Sequence, residues 1–148
     1  MINKTVDEIR DMWKTDAVID QNHLEKSELQ NGILHSRYID LLVDYKRELA
    51  LLERDFNKMK KIKISYYKGQ MSQEELTELN WQPYQFIISN KNELLDVLSL
   101  DEDLNNFTIK IQEVNIGIEL LQSIIDKIKN KSWQIKNIIE IKKFNAGY

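Results

Sequence analysis

Between Asn57 and Gln70 the chain carries Lys58, Lys60, Lys61, Lys63 and Lys68 and no acid, a charge of +5 in fourteen residues. Tyr66 and Tyr67 stand among these lysines. Ammonium groups neutralise phosphates, and tyrosine rings stack on unpaired bases at about 1–3 kcal/mol each. Basic residues interleaved with aromatic rings therefore predict contact with single-stranded nucleic acid. Cations also suit a helix C-terminus, but five lysines with no acid exceed what capping needs. A second cluster comprises Lys127, Lys129, Lys131, Lys136, Lys142 and Lys143, set against Glu140 and surrounding Trp133. Those lysines have a ready alternative role, flanking the seam of a helix.

Other chemistries lack their residues. With no cysteine there is no disulfide, thiolate metal site or cysteine nucleophile. His23 and His35 lie twelve positions apart without carboxylates at metal-ligand spacing, so no metal site is expected. There is no Gly-x-Ser-x-Gly elbow, and Gly69 has no Gly-Lys-Ser/Thr beside it that would make a phosphate loop. Apolar runs are too short for a membrane span, and the residues from Met1 to Asp7 lack an apolar signal core. The expectation is a protein that binds rather than catalyses, with no cofactor and no membrane partner.

The formal net charge of −3, from 21 basic and 24 acidic residues, conceals this segregation. Residues 1 to 30 hold four bases and seven acids, and Glu74, Glu75, Glu78, Glu93, Asp96, Asp101, Glu102 and Asp103 concentrate negative charge in the middle. The acidic regions suit a protein partner or solubility.

Long helices must position these charges. Only four glycines and one proline occur in 148 residues, which excludes turn-rich β architectures. Val6, Ile9, Met12 and Trp13 predict a short helix over about residues 5 to 15. Asp20 is a good N-cap for a long helix from Gln21 to Lys68. Its stripe runs Leu34, Tyr38, Leu41, Tyr45, Leu49, Leu52, Phe56 and Met59 at spacings of three and four. Gly69 is suited to terminate it. Within it, Lys61-Ile62-Lys63-Ile64-Ser65-Tyr66 alternates with period two, so a strand competes with helix there. Residues 69 to 90 form an irregular middle. Ser72 and Glu75 propose a capping box for a helix to about Leu79, and Trp81, Pro83, Tyr84 and Phe86 form an aromatic connector. Another short helix is expected over Ser89 to Leu98, and Asp101-Glu102-Asp103 suits the start of the last one.

That last helix has the clearest period. Leu104, Phe107, Ile111, Val114, Ile118, Leu121, Ile125, Ile128, Ser132, Ile135, Ile139 and Lys142 alternate strictly by three and four. This is a coiled-coil or bundle seam. Ile109, Ile116 and Leu120 form a second patch nearly opposite. A helix apolar on two sides either packs wholly inside its own chain's bundle or keeps one face for a second copy. The fold class is all-α: two long helices with short intervening ones. Residues 1–103 are read as an N-terminal helical region with the basic strip at 57–70. Residues 104–148 are read as a C-terminal helix whose seam residues Phe107, Ile111, Val114, Ile118, Leu121, Ile125, Ile128, Ile135 and Ile139 form a homo-oligomer.

The residues also resemble a known family. The stretch Asp16-Ala17-Val18-Ile19-Asp20, then Leu24, Asn31, Leu34 and Ser36-Arg37-Tyr38, follows its pattern. So do Lys46-Arg47-Glu48, Leu52-Glu53, Lys61-x-Lys63 with Tyr66-Tyr67-x-Gly69, Ile135-Lys136-x-Ile138, and Phe144-x-Ala146-Gly147. In order and spacing, and nearly end to end, the chain resembles the UvsY family of recombination mediators from T-even-type bacteriophages. The resemblance implies a helical protein assembled as a ring of six or seven copies through its C-terminal part, acting in the host cytoplasm. It implies binding to single-stranded DNA and help in loading a RecA-like recombinase, UvsX, onto strands covered by the phage single-strand-binding protein, in recombination, repair and recombination-dependent replication. The family's paired basic residues in DNA binding fall on Lys61 and Lys63. The second is lysine where the family has arginine, which keeps charge but loses bidentate phosphate contact. Residues 70 to 88 depart most from the pattern. The reading from a different class is a helical scaffold or adaptor that touches only protein; it accounts for the seam but leaves the Lys/Tyr strip unused.

Overall fold

The computed structural model describes residues 2–147. They form five helices, with no strand among the described residues: α1 (Val6–Asp16), α2 (Leu24–Tyr67), α3 (Gln73–Leu79), α4 (Lys91–Ser99) and α5 (Glu102–Asn145). The competition over residues 61–66 is resolved as helix. α2 and α5 each have 44 residues, about 66 Å at 1.5 Å rise. No helix among the described residues is long and apolar enough to cross a membrane.

The helix ends follow local chemistry. Thr5 caps α1 through a reciprocal box with Glu8. α2 begins at Leu24, three residues later than Asp20 would set it, because the Asp20 carboxylate holds the preceding turn instead. It accepts the Asn22 amide at 3.0 Å and pairs with the His23 ring at 2.8 Å. Gly69, at φ +70°, closes α2: its amide reaches the Tyr66 carbonyl and the Gln70 amide reaches that of Ser65. These are the two crossed bonds of a Schellman motif, which favours glycine at that position. Ser72 caps α3 by accepting the Glu75 amide, while its hydroxyl donates to the Glu75 carboxylate at 3.1 Å. Asn90 caps α4 and Asp101 caps α5, accepting the Glu93 and Leu104 amides.

Contacts divide the chain into two units, Met1–Leu49 with Glu113–Tyr148, and Ala50–Gln112. α2 and α5 run through both, so the expected boundary at residues 103/104 falls inside the second unit rather than between the two.

In the first unit α1 and the early part of α2 pack on the later part of α5. Ile9, Tyr38, Leu121 and Ile135 are fully buried. Several polar groups in this core bond across helices, although Asn31 Oδ1 and Glu28 Oε2 are buried without a partner among the described residues. Tyr38 donates to Asp16 at 2.9 Å, and the Asn31 amide donates to the Ile128 carbonyl at 2.9 Å. Lys131, buried, donates to the carbonyls of Asp16 and Val18, which α1 leaves unpaired at its C-terminus. Burial pushes the Lys131 pKa down, with only Asp16 opposing it.

This core corrects the reading of the α5 seam. Val114, Ile118, Leu121, Ile125, Ile128 and Ile135 are buried within their own chain, and Phe107, Ile111 and Ile139 are half-buried. Six of the nine seam residues are taken up by intrachain packing, where α2 meets α5: Phe56 lies edge to face with Phe107, and Tyr45 lies against Gly117. Of the opposite patch, Ile109 and Ile116 stay exposed, at 62% and 51%.

Candidate nucleic-acid interface

The basic strip lies wholly in the second unit. Helical geometry spreads its residues around the axis, since neighbours two apart point roughly opposite ways. Lys58, Lys61 and Lys68 lie on one outward stripe and are exposed. None of the three has an ion-pair partner among the described residues. Arg54, four residues before Lys58, stands on the same stripe and, among the described residues, pairs only with its neighbour Asp55, at 3.2 Å. The stripe from Arg54 to Lys68 spans about 21 Å of helix. Lys60 sits on the flank and is half-buried.

Lys63 does not join this stripe. Its side chain is 9% exposed, and Nζ lies 3.1 Å from Asp101 and 2.8 Å from Asp103. It also lies 4.3 Å from the centre of the Trp81 ring, within cation–π reach. Burial alone pushes the Lys63 pKa down, but the bonds to Asp103 and Asp101 outweigh it and hold the ammonium above its ordinary value. At Asp101 burial pushes the pKa up, and bonds from Tyr67, the Leu104 amide and Lys63 hold it below the ordinary value. Lys61 and Lys63, paired by the resemblance, therefore face opposite directions and have different surroundings. The expectation that Lys63 presents its charge to a strand is corrected: in this fold the charge is spent on the start of α5.

The tyrosines are also engaged. Tyr67 donates to the Asp101 carboxylate at 2.5 Å, and burial followed by that bond pushes its pKa up. Tyr66 donates to the Gln82 carbonyl at 2.6 Å. Trp81 meets Tyr66 at 5.2 Å between ring centres, and Tyr84 meets Tyr67 at 4.8 Å, both edge to face. Offset and edge-on pairs of this kind hold rings in fixed orientation. Both tyrosines remain half-exposed. The aromatic connector thus has a position, packed over the Tyr66-Tyr67 end of α2. Sequence spacing alone did not reveal this, although aromatic density on both sides of Gly69 was its signal.

In the tail, Lys127, Lys129, Lys136 and Lys143 are exposed, whereas Lys131 is buried and Lys142 reaches the Gln21 carbonyl at 3.3 Å. Lys129, Lys136 and Lys143, seven residues apart, share one face of α5, with Lys127 on the opposite side. The acid-free stripe on α2 is the denser positive surface.

The architecture has counterparts among known proteins. Residues 12–148 match the family described as recombination, repair and ssDNA binding protein UvsY. The recombination protein uvsY of Enterobacteria phage T4 is 24% identical over 142 residues, covering 96% of this chain and 98% of that protein. A crystal structure of the bacteriophage T4 recombination mediator protein UvsY, lattice type II, superposes with a TM-score of 0.83 at 23% identity, covering 98% of this chain and all of that one. Lattice type IV gives 0.80 at 21% identity, covering 95% and 99%. With the match running through both units and the stripe, the chain belongs to the UvsY family of recombination, repair and single-stranded-DNA-binding proteins.

Proposed function

We propose that this chain is a recombination mediator that grips single-stranded DNA along the outward stripe of α2. The observation that carries the reading is the set Lys58, Lys61 and Lys68: exposed, on one face, and unpaired among the described residues. Each ammonium replaces a counterion on a phosphate, so binding is sequence-independent and salt-sensitive. One such stripe binds weakly. Several copies held together would raise the effective concentration of sites and bind a strand tightly. A strand bent across several copies is partly freed of its covering single-strand-binding protein, and a RecA-like recombinase nucleates there. ATP hydrolysis belongs to the recombinase. Membership of the family supports this role, and Ile109 and Ile116 are apolar surface suited to joining copies into the expected six- or seven-membered assembly.

Titration of a labelled oligonucleotide at several salt concentrations tests the reading. Lys61→Ala should weaken binding and reduce the log–log salt slope by roughly 0.7, the value for one phosphate contact on a single strand. An unchanged slope moves the site off α2. Recombinase filament formation on strands covered by single-strand-binding protein, with and without this chain, tests the loading step.

A further inference from the structure

Beyond the last lysine of the stripe lies a groove of about 680 Å³ in the second unit. Ile64, Ile88 and Leu94 contribute half-buried apolar walls, and Lys68 and Lys91 line it together with Ser89. No carboxylate among the described residues lines it, although acids outnumber bases in the chain. The acid nearest to Lys91 in sequence is Glu93, whose carboxylate is occupied by the Ser89 amide at 2.8 Å. Lys68 belongs both to the stripe and to the groove. It makes the groove the continuation of the stripe past the point where α2 ends at Gly69.

We propose that this groove is a nucleotide subsite, in which one base of the strand lies against Ile64, Ile88 and Leu94 while its flanking phosphates meet Lys68 and Lys91. The inference rests on the reading that α2 binds single-stranded DNA. The volume is within the range of small-ligand clefts. Apolar walls with two ammonium groups and no acid match a base with its phosphates and repel a basic partner. The contact to the base is van der Waals rather than hydrogen-bonded, so it accepts any base. Tyr66, Tyr67, Trp81 and Tyr84, by contrast, are packed on each other, leaving this groove as the place where a base is sheltered. Lys91 thereby becomes a strand-binding residue outside the basic window, twenty-three positions beyond Lys68.

The test uses the full chain and an oligothymidylate containing 4-thiothymidine. Irradiation should crosslink the base to a peptide spanning residues 88–94. Lys91→Glu should lower affinity severalfold at low salt and reduce the salt slope by about 0.7. A glutamate suits the first turn of α4, so the fold is retained, which circular dichroism checks. Crosslinks confined to residues 54–68, with Lys91→Glu binding like the parent chain, overturn the subsite while leaving the stripe intact. Absence of binding by the parent chain overturns both. Displacement of the strand from the stripe but not from residues 88–94 by a polyglutamate peptide supports the subsite. Loss of the 88–94 crosslink when that peptide is added, with the strand still crosslinked to residues 54–68, rejects it in favour of a protein ligand.

Discussion

Lys63 Nζ lies 3.1 Å from the Asp101 carboxylate, and both side chains are at least nine-tenths buried. Asp101 in turn caps α5 and accepts the Tyr67 hydroxyl, so one carboxylate ties the end of α2 to the start of α5. Removing one partner of a buried pair leaves the other charge uncompensated, at about 3–5 kcal/mol. Lys63→Ala should therefore cost about 3 kcal/mol, near the low end because Asp103 is half-exposed. Lys61→Ala, at an exposed site, should change stability by less than about 0.5 kcal/mol. Chemical denaturation of both variants beside strand titration separates the roles: Lys63 acts on folding, Lys61 on DNA. Equal destabilisation by the two would refute the opposed orientation.

Gly117 and Gly32 offer a contrast inside the long helices. A Cβ at Gly117 would run into the Tyr45 ring, whereas one at Gly32 meets nothing within 4 Å. Tyr45 is 2% exposed and its hydroxyl is held by the Lys4 carbonyl at 2.7 Å, so the ring cannot swing aside. Gly32→Ala should stabilise by about 0.5–1 kcal/mol through helix propensity. At Gly117 the same gain is set against overpacking of about 1–3 kcal/mol. Thermal melts should show Gly32→Ala above the parent chain and Gly117→Ala below it.

Much of this was legible in the chain. The scarcity of glycine and proline marks the helices. Gly69, Ser72 and Asp101 mark ends where the structure has them, because caps depend on residues three or four apart. The apolar stripe on α2 also contained the fate of Lys63: four beyond Met59 comes Lys63, and three beyond that Tyr66. Its position on the inward face outweighed its charge, and reading the lysine by charge alone obscured this. What covers the α5 seam was not legible. Periodicity shows that a face is apolar but not whether the complementary stripe belongs to α2 or to another copy. Nor could spacing show that Trp81 and Tyr84 fold back over Tyr66 and Tyr67, or that Lys91 joins Lys68, because those contacts cross a segment without period.

Stability should fall in alkali. Burial, followed by acceptor bonds to Asp101 and Asp16, pushes the pKa values of Tyr67 and Tyr38 up, and burial does the same for Tyr45. Lys63, pushed down by burial but up more strongly by Asp103 and Asp101, is also raised. Each of these groups holds its proton more tightly folded than unfolded. The unfolded chain loses those protons first, so stability is intact below the ordinary tyrosine value of 10.0 and declines above it. Lys131 opposes this, since burial lowers its pKa and rising pH relieves the cost of its charge. It is one group against four. Tm should hold up to about pH 10 and drop above it, and Tyr67→Phe should shallow the drop. A flat profile would mean that these groups titrate alike folded and unfolded.

The burial of the α5 seam changes how self-assembly must be tested. Truncation before α5 would remove Leu121, Ile125, Ile128 and Ile135 from the core of the first unit, so loss of an oligomer would report unfolding rather than a lost interface. Ile125→Ala, at 5% exposure, should likewise cost about 2–5 kcal/mol. Ile109 and Ile116 lie outside that core, and lysine there leaves intrachain packing alone. Ile109→Lys with Ile116→Lys should lower the mass seen by light scattering while helix content by circular dichroism stays the same. If the mass is unchanged, the joining face is elsewhere. The exposed Trp133, Ile141 and Phe144, which share one side of α5, are then the next surface to substitute. On the proposed grip by several stripes together, the variant that falls to monomers should also lose strand affinity although Lys58, Lys61 and Lys68 are untouched.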